Sequence, residues 1–222
     1  MKKPLVIFGG SGFVGQGIIQ LALSNDQPVI SLSKHGRPRN NFPLKDSPLM
    51  TWIAVDVLTE TTWHPYLQNA QAVINLIGII KETPAQGLTY DRMIVLANRL
   101  ISQEVKKQPE IPYLFLSASA GGPGIPQSYL LSKRRAENEL TELTELTNPV
   151  VIIRPGLVTS WQKPSTLVLG PLIYIASCLP LVSKAFKAVL PISRKQLSQC
   201  LYQQIETNTS QLIDLTKKEF RP

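Results

Sequence analysis

Residues 4–17 read PLVIFGGSGFVGQG, with four glycines inside seven residues directly behind an apolar run. Glycine weakens strand and helix interiors alike, so a cluster here marks backbone that something must approach. Leu5–Phe8 reads as a short strand buried on both faces. Phe13–Leu23 reads as a helix with Val14, Ile18, Ile19 and Leu23 along one side. Gly9, Gly12 and Gly15 then form G-x-x-G-x-x-G between strand and helix. At such a turn a phosphate can reach the N–H groups of the helix N-terminus, from which a Cβ would hold it off. The partial positive charge of the helix end favours the anion, and the last glycine lets helix and strand pack closely. A strand before, a helix after and an alternating pattern behind make this a dinucleotide-binding fingerprint. Ser11, Phe13 and Val14 lie within it and are assigned with the glycines to the cofactor site.

Moving outward, strands and helices alternate. Val29–Ser33, Trp52–Val55, Ala72–Ile77, Tyr113–Leu116 and Val150–Ile153 read as strands, most of them apolar throughout. Thr61–Leu67, Tyr90–Lys107 and Tyr129–Leu143 read as helices, and Lys34–Pro48 as a polar loop. Apolar strands alternating with helices predict a parallel sheet covered on both faces. The expected fold is α/β, a Rossmann-like doubly wound parallel sheet. Residues 1–156 would form its core and residues 157–222 a small C-terminal lobe packed on that core. In the lobe, Leu167–Val182 is apolar but broken by Gly170, Pro171 and Pro180, which makes it a poor membrane span. A helical cover over a substrate pocket is the expectation. A peripheral membrane or quinone contact, flanked by Lys163, Lys184 and Lys187, is the lesser alternative. Ser193–Glu206 reads as a helix and Gln211–Leu215 as a late strand.

The 222 residues, 43% hydrophobic and 17% charged, have ordinary globular composition and suffice to bury a core without staples. The net charge of +8 suits an anionic ligand. No aromatic residues interleave with the basic clusters, so nucleic acid is not expected. Cys178 and Cys200 form no pair motif, and His35 and His64 stand far apart, so no metal site is expected. Thiols without a framework fit a reducing compartment, the cytoplasm. The apolar run Leu5–Phe8 is too short for an export signal.

The segment SLSKHGRPR, Ser31–Arg39, occupies the end of the second strand, where an acid commonly takes the adenosine ribose. Here Ser33 stands near that place, followed by Lys34, Arg37 and Arg39. A serine among cations accepts a 2′-phosphate that an acid would repel. NADP(H) is therefore expected over NAD(H). Asp56, with Val57 behind it, is placed to meet the adenine. Leu76 and Gly78, in the segment NLIG at Asn75–Gly78, lie where backbone passes the cofactor ribose.

The segment SYLLSKRRAENEL, Ser128–Leu140, sets Tyr129 and Lys133 four apart on one helix face. A phenol needs an adjacent cation to work as an acid or base near neutrality. Lys133 would provide that charge and grip the nicotinamide ribose. Tyr129 would exchange a proton with a carbonyl or hydroxyl. Either Ser117 or Ser119 in LFLSAS could bind the substrate oxygen; position favours Ser117. Glu137, Glu139, Arg134 and Arg135 read as pairs on a solvated helix face.

With these residues assembled, the chain resembles the short-chain dehydrogenase/reductase superfamily. The glycine turn, NLIG, the serine, Y-x-x-x-K and IIRPG at Ile152–Gly156 occur in that order. It looks most like the atypical, extended-type members, among them the nucleotide-binding accessory subunit of respiratory complex I and a fungal factor in coenzyme Q biosynthesis. The resemblance implies that Pro155 and Gly156 lie beside the nicotinamide. It also implies an oxidoreductase acting on a carbonyl or alcohol, and the apolar Leu157–Leu190 lobe points to a small, fairly apolar substrate. Two alternatives stay open: a non-catalytic NADPH-binding sensor or assembly protein, and an NAD-dependent epimerase or dehydratase. Oligomeric state is left open.

Overall fold

The computed structural model describes residues 2–120, 125–141, 148–159 and 190–217. Strands β1 (Leu5–Phe8), β2 (Val29–Ser33), β3 (Met50–Ala54), β4 (Ala72–Asn75), β5 (Tyr113–Leu116) and β6 (Val150–Arg154) lie in one parallel sheet. A short parallel pair, β7 (Val158–Thr159) with β8 (Ile192–Ser193), stands outside it. The late strand β9 (Gln211–Asp214) completes the main sheet of seven, in the order β3-β2-β1-β4-β5-β6-β9. The chain runs outward from β1 to β3, then crosses back to β4 on the other side of β1. That reversal opens a crevice at the carboxyl ends of β1 and β4, where open α/β sheets bind ligands. Register aligns those ends: Phe8 sits opposite both Leu32 and Asn75.

Alternation along each strand feeds two cores. Val6 and Phe8 point to one face, with Ile94 and Ile101 from the helical segment after β4 and with Ala136 and Leu140 of α3 (Gln127–Thr141). Leu5 and Ile7 point to the other, with Ile18 and Ile19 of α1 (Phe13–Leu23) and with Leu197 and Leu201 of α4 (Arg194–Gln203). The expected helix Tyr90–Lys107 is two elements, a π-helical turn over Asp91–Leu96 and α2 over Ala97–Val105. Of Thr61–Leu67 only a 3₁₀ turn, His64–Leu67, forms around Pro65. A buried network, Asn75 Nδ2 to the Tyr113 hydroxyl (2.9 Å) and that hydroxyl to Asn98 Oδ1 (2.8 Å), ties β4, β5 and α2 together.

The C-terminal region divides differently from the expectation. Helix α4 packs on α1, and β9 extends the sheet beyond β6. Residues 194–217 thus share the layers that residues 1–156 build, although the sequence placed them in a lobe. Gly17 is the cause at the helix contact: a Cβ there would lie 2.7 Å from Ser198 Oγ. The apolar stretch Leu167–Val182 lies outside the described residues.

Candidate functional site

The glycine turn has the geometry its sequence implies. Gly9 adopts φ +79°, and a Cβ on it would lie 3.2 Å from the Leu76 carbonyl carbon. A Cβ on Gly15 would lie 2.4 Å from the Gly10 oxygen, so α1 starts hard against the turn. At Gly12 a Cβ would meet only the Gly9 oxygen, at 3.2 Å, which leaves its outer side open. Gly12 caps α1 without a side-chain hydrogen bond, and the first helical turn carries no acid. An uncapped helix start beside bare backbone suits an anion, and a dinucleotide pyrophosphate fits it.

Gly9, Ser11 and Gly12 line one cleft of about 280 Å³ together with Ser33, Lys34 and His35 after β2. Asp56 and Val57 after β3, and Leu76 and Gly78 after β4, line it too. Ser33 is only 8% exposed, and its hydroxyl accepts the Ser11 N–H at 3.2 Å, bracing the turn. Lys34 pairs with Asp56 at 3.0 Å. Burial works to raise the Asp56 carboxyl; Lys34, the Leu58 amide and the charge of Arg92 outweigh it and hold the group below the usual carboxylate range.

Several expected contacts lie elsewhere. Arg37 is not in the cleft wall; it bonds Asp46 at 2.7 Å, with the two side chains 62% and 66% exposed. The loop between β2 and β3 supplies that partner locally. Phe13, Val14 and Gly15 belong to the first turn of α1 and do not line the cleft. The Phe13 ring instead packs 5.4 Å from the Arg194 guanidinium.

The far wall was not legible in the sequence. Thr83 and Leu88 exchange backbone hydrogen bonds of 2.8 and 3.2 Å, closing a small hairpin around Gly87 at φ +70°. Gln86, Gly87, Leu88 and Arg92 line the cleft from there. Tyr90 anchors the hairpin's exit: its amide donates to Glu82 (2.6 Å) and its hydroxyl to the Ile80 carbonyl (2.7 Å).

Helix α3 carries Tyr129 and Lys133, the pair expected to handle the proton. Lys133 is 4% exposed; its Nζ donates to the Leu116 carbonyl at 2.6 Å and stands 4.8 Å from the Phe115 ring centroid. A Cβ on Gly78 would lie 3.6 Å from that Nζ, so Lys133 reaches the cleft wall. Burial pulls its pKa down to about 7, against a smaller opposing pull from Glu137. Tyr129 sits edge-on to Tyr90, ring centroids 5.6 Å apart. The phenol, expected to be acidified by Lys133, is instead pushed up by burial and by Tyr90.

Ser117 is occupied. It is 3% exposed, and its hydroxyl donates to Glu137 in a short hydrogen bond. Glu137 is itself 2% exposed, so the solvated helix face expected of it is corrected to a buried charge cluster. Arg134 bonds it at 2.7 Å, and Arg154 grips it with two bonds, Nε at 2.9 Å and Nη2 closer. Two cations on one carboxylate make the burial tolerable. Arg134 also donates to the carbonyls of Ala118 (2.8 Å) and Ser119 (2.7 Å). Ser119 donates its amide to the Pro155 carbonyl at 2.9 Å, which sets it beside the segment assigned to the nicotinamide. His64 also gained a partner the sequence did not offer, Glu104 at 3.5 Å.

Over residues 5–166 the sequence matches the model of the NAD dependent epimerase/dehydratase family. A relative from Saccharomyces cerevisiae, named MIOREX complex component 2, is 27% identical over 228 residues, covering 82% of this chain and 81% of the relative. A short chain dehydrogenase from Leptospira borgpetersenii with bound NAD+ superposes with a TM-score of 0.72 at 18% identity, over 96% of this chain and 91% of that one. UDP-glucuronic acid 4-epimerase from Bacillus cereus in complex with NAD gives 0.70 at 15% identity, over 95% and 76%. At these identities the two solved structures share the fold.

Proposed function

Since the chain belongs to the NAD dependent epimerase/dehydratase family, we propose that it is a nicotinamide-dinucleotide oxidoreductase that favours NADP(H). The substrate would be a small, fairly apolar carbonyl compound or alcohol. The observation that carries this reading is continuity: one cleft runs from the open glycine turn to Gly78, and Lys133 stands directly behind Gly78.

The dinucleotide, when bound, supplies or accepts the hydride. Gly9 and Gly12 would cradle its pyrophosphate, Asp56 its adenine, and Lys133 a ribose hydroxyl. Ser33 and Lys34 support the preference for a 2′-phosphate, with NAD(H) as the alternative coenzyme. The chain's own chemistry is proton handling. Tyr129 would give its phenolic proton to a carbonyl oxygen being reduced, or take it back in the reverse direction. A high phenol pKa suits the donor role, because the proton stays on Tyr129 until the substrate oxygen gains charge. Of Ser117 and Ser119, Ser119 is the favoured holder of the substrate oxygen, because Arg134 and Pro155 pin its backbone beside the Arg154–Gly156 segment. It would hold the substrate oxygen near Tyr129.

The test is turnover on an aldehyde and ketone panel with NADPH. Tyr129→Phe should lower turnover by about 10²–10⁴-fold while dinucleotide binding persists, and Ser119→Ala should lower it more than Ser117→Ala. Unchanged turnover in Tyr129→Phe on a verified substrate would refute the mechanism. The name of the yeast relative supports a second reading, a nucleotide-holding part of a larger assembly. Tight NADPH binding without oxidation across the panel would favour it.

A further inference from the structure

The cleft carries a cation that the glycine turn and the Tyr129–Lys133 pair do not use. Arg92 lies on the π-helical turn ahead of α2 and lines the same wall as the 83–88 hairpin. Among the described residues its guanidinium has no recorded hydrogen bond or ion pair, whereas Arg99, Arg134, Arg135 and Arg154 are all paired with carboxylates. An unpaired guanidinium in a concave site is a receptor for a planar or tetrahedral oxyanion.

The backbone is shaped around it. Gly87 adopts φ +70°, and a Cβ there would come 2.7 Å from Arg92 Nη1. Any other residue at 87 would push the guanidinium aside as well as strain the turn. The π-helical geometry of Asp91–Leu96 also departs from a regular helix at this place, as helices often do beside ligand sites.

Its position along the cleft is set by charge. Asp56 feels the positive fields of both Lys34 and Arg92. Asp56 follows β3 and Lys34 follows β2, both lying beyond β1 in the sheet order. That is the adenosine side of the switch point, away from Gly78 and Lys133. With Lys34 and Arg92 against the one carboxylate Asp56, this end of the cleft carries surplus positive charge.

We infer that Arg92, seated over Gly87, is a specificity-determining residue that binds the 2′-phosphate of NADP(H) together with Lys34. The inference rests on the dinucleotide reading above and adds a residue to it. Lys34 is shared with Asp56, so on its own it offers a phosphate monoester a compromised partner. Arg92 is the uncommitted one. The two cations approach from different walls, the loop after β2 and the segment after β4, and so enclose the phosphate.

Calorimetry on the full-length chain tests this with four probes: NADPH, NADH, 2′,5′-ADP and 5′-ADP. Arg92→Ala should weaken NADPH and 2′,5′-ADP by at least about tenfold, with NADH and 5′-ADP within about twofold; tenfold is roughly 1.4 kcal/mol, within reach of one charge-assisted contact. Arg92→Lys should recover part of the loss, which separates charge from folding. Loss of all four ligands alike, no change in any, or a wild type that prefers NADH overturns the role of Arg92 and leaves the dinucleotide reading standing. A well-folded wild type that takes up none of the four overturns both.

Discussion

Lys133 shows what a single side chain can be made to hold. It is almost fully enclosed, bonded to a carbonyl and shifted to about 7 by burial. A lysine whose pKa is lower folded than unfolded binds fewer protons in the native state, so stability rises with pH across that interval. The window runs from about 7 up to the ordinary lysine value of 10.5. Lys133→Met should therefore gain on the wild type as pH falls from 10 to 6, by up to about 5 kcal/mol. Denaturant titrations at stepped pH measure that gain; a difference independent of pH would contradict the assignment. The sequence placed Lys133 and Tyr129 on one helix face because a four-residue spacing needs only local geometry. It could not place Glu137, which uses the same spacing from Lys133. Its burial depends on Arg154, seventeen residues away in sequence on β6, and nothing in the helix pattern distinguishes it from Glu139, which is only half-buried.

At the scale of elements, the strand–turn–helix unit that opens the chain was the most legible part. Its apolar run, glycines and helical face specify one another within twenty residues, and β1 and α1 have the expected bounds. The same unit invites a strong prediction. Gly15→Ala would drive a Cβ to 2.4 Å from backbone, with no flexible side chain to yield. It should lower Tm and abolish dinucleotide binding together, by thermal shift with and without NADPH. Gly12→Ala, which meets only one backbone oxygen, should bind weakly while keeping its Tm. The hairpin of residues 83–88 was illegible because KETPAQG reads as loop. Its shape depends on Gly87 at positive φ and on Tyr90 bonding back to Glu82 and Ile80, contacts that no local pattern announces.

For the whole molecule, alternation of apolar strands with helices announced a parallel sheet. It did not announce where the last strand would go. Gln211–Asp214 is short and mixed, with Ile213 alone fully buried, so its pairing with β6 depends on an edge that only the assembled sheet presents. That pairing carries weight: the Ser210 hydroxyl accepts the Val150 amide at 3.0 Å, and four residue pairs align along the strands. A chain stopped after Thr209 should lose roughly 3 kcal/mol or more from Ile213 burial and strand pairing. The open β6 edge should also make it prone to aggregate, which light scattering would register.

The contact between α1 and α4 has a bearing on biosynthesis. The glycine turn and α1 are translated well before α4, the helix that packs over α1. A ribosome-bound intermediate can form β1 and α1 early but keeps Ile18 and Ile19 uncovered until Leu197 and Leu201 clear the exit tunnel. During that interval the half-built cradle is a natural client for a chaperone that recognises apolar helix faces.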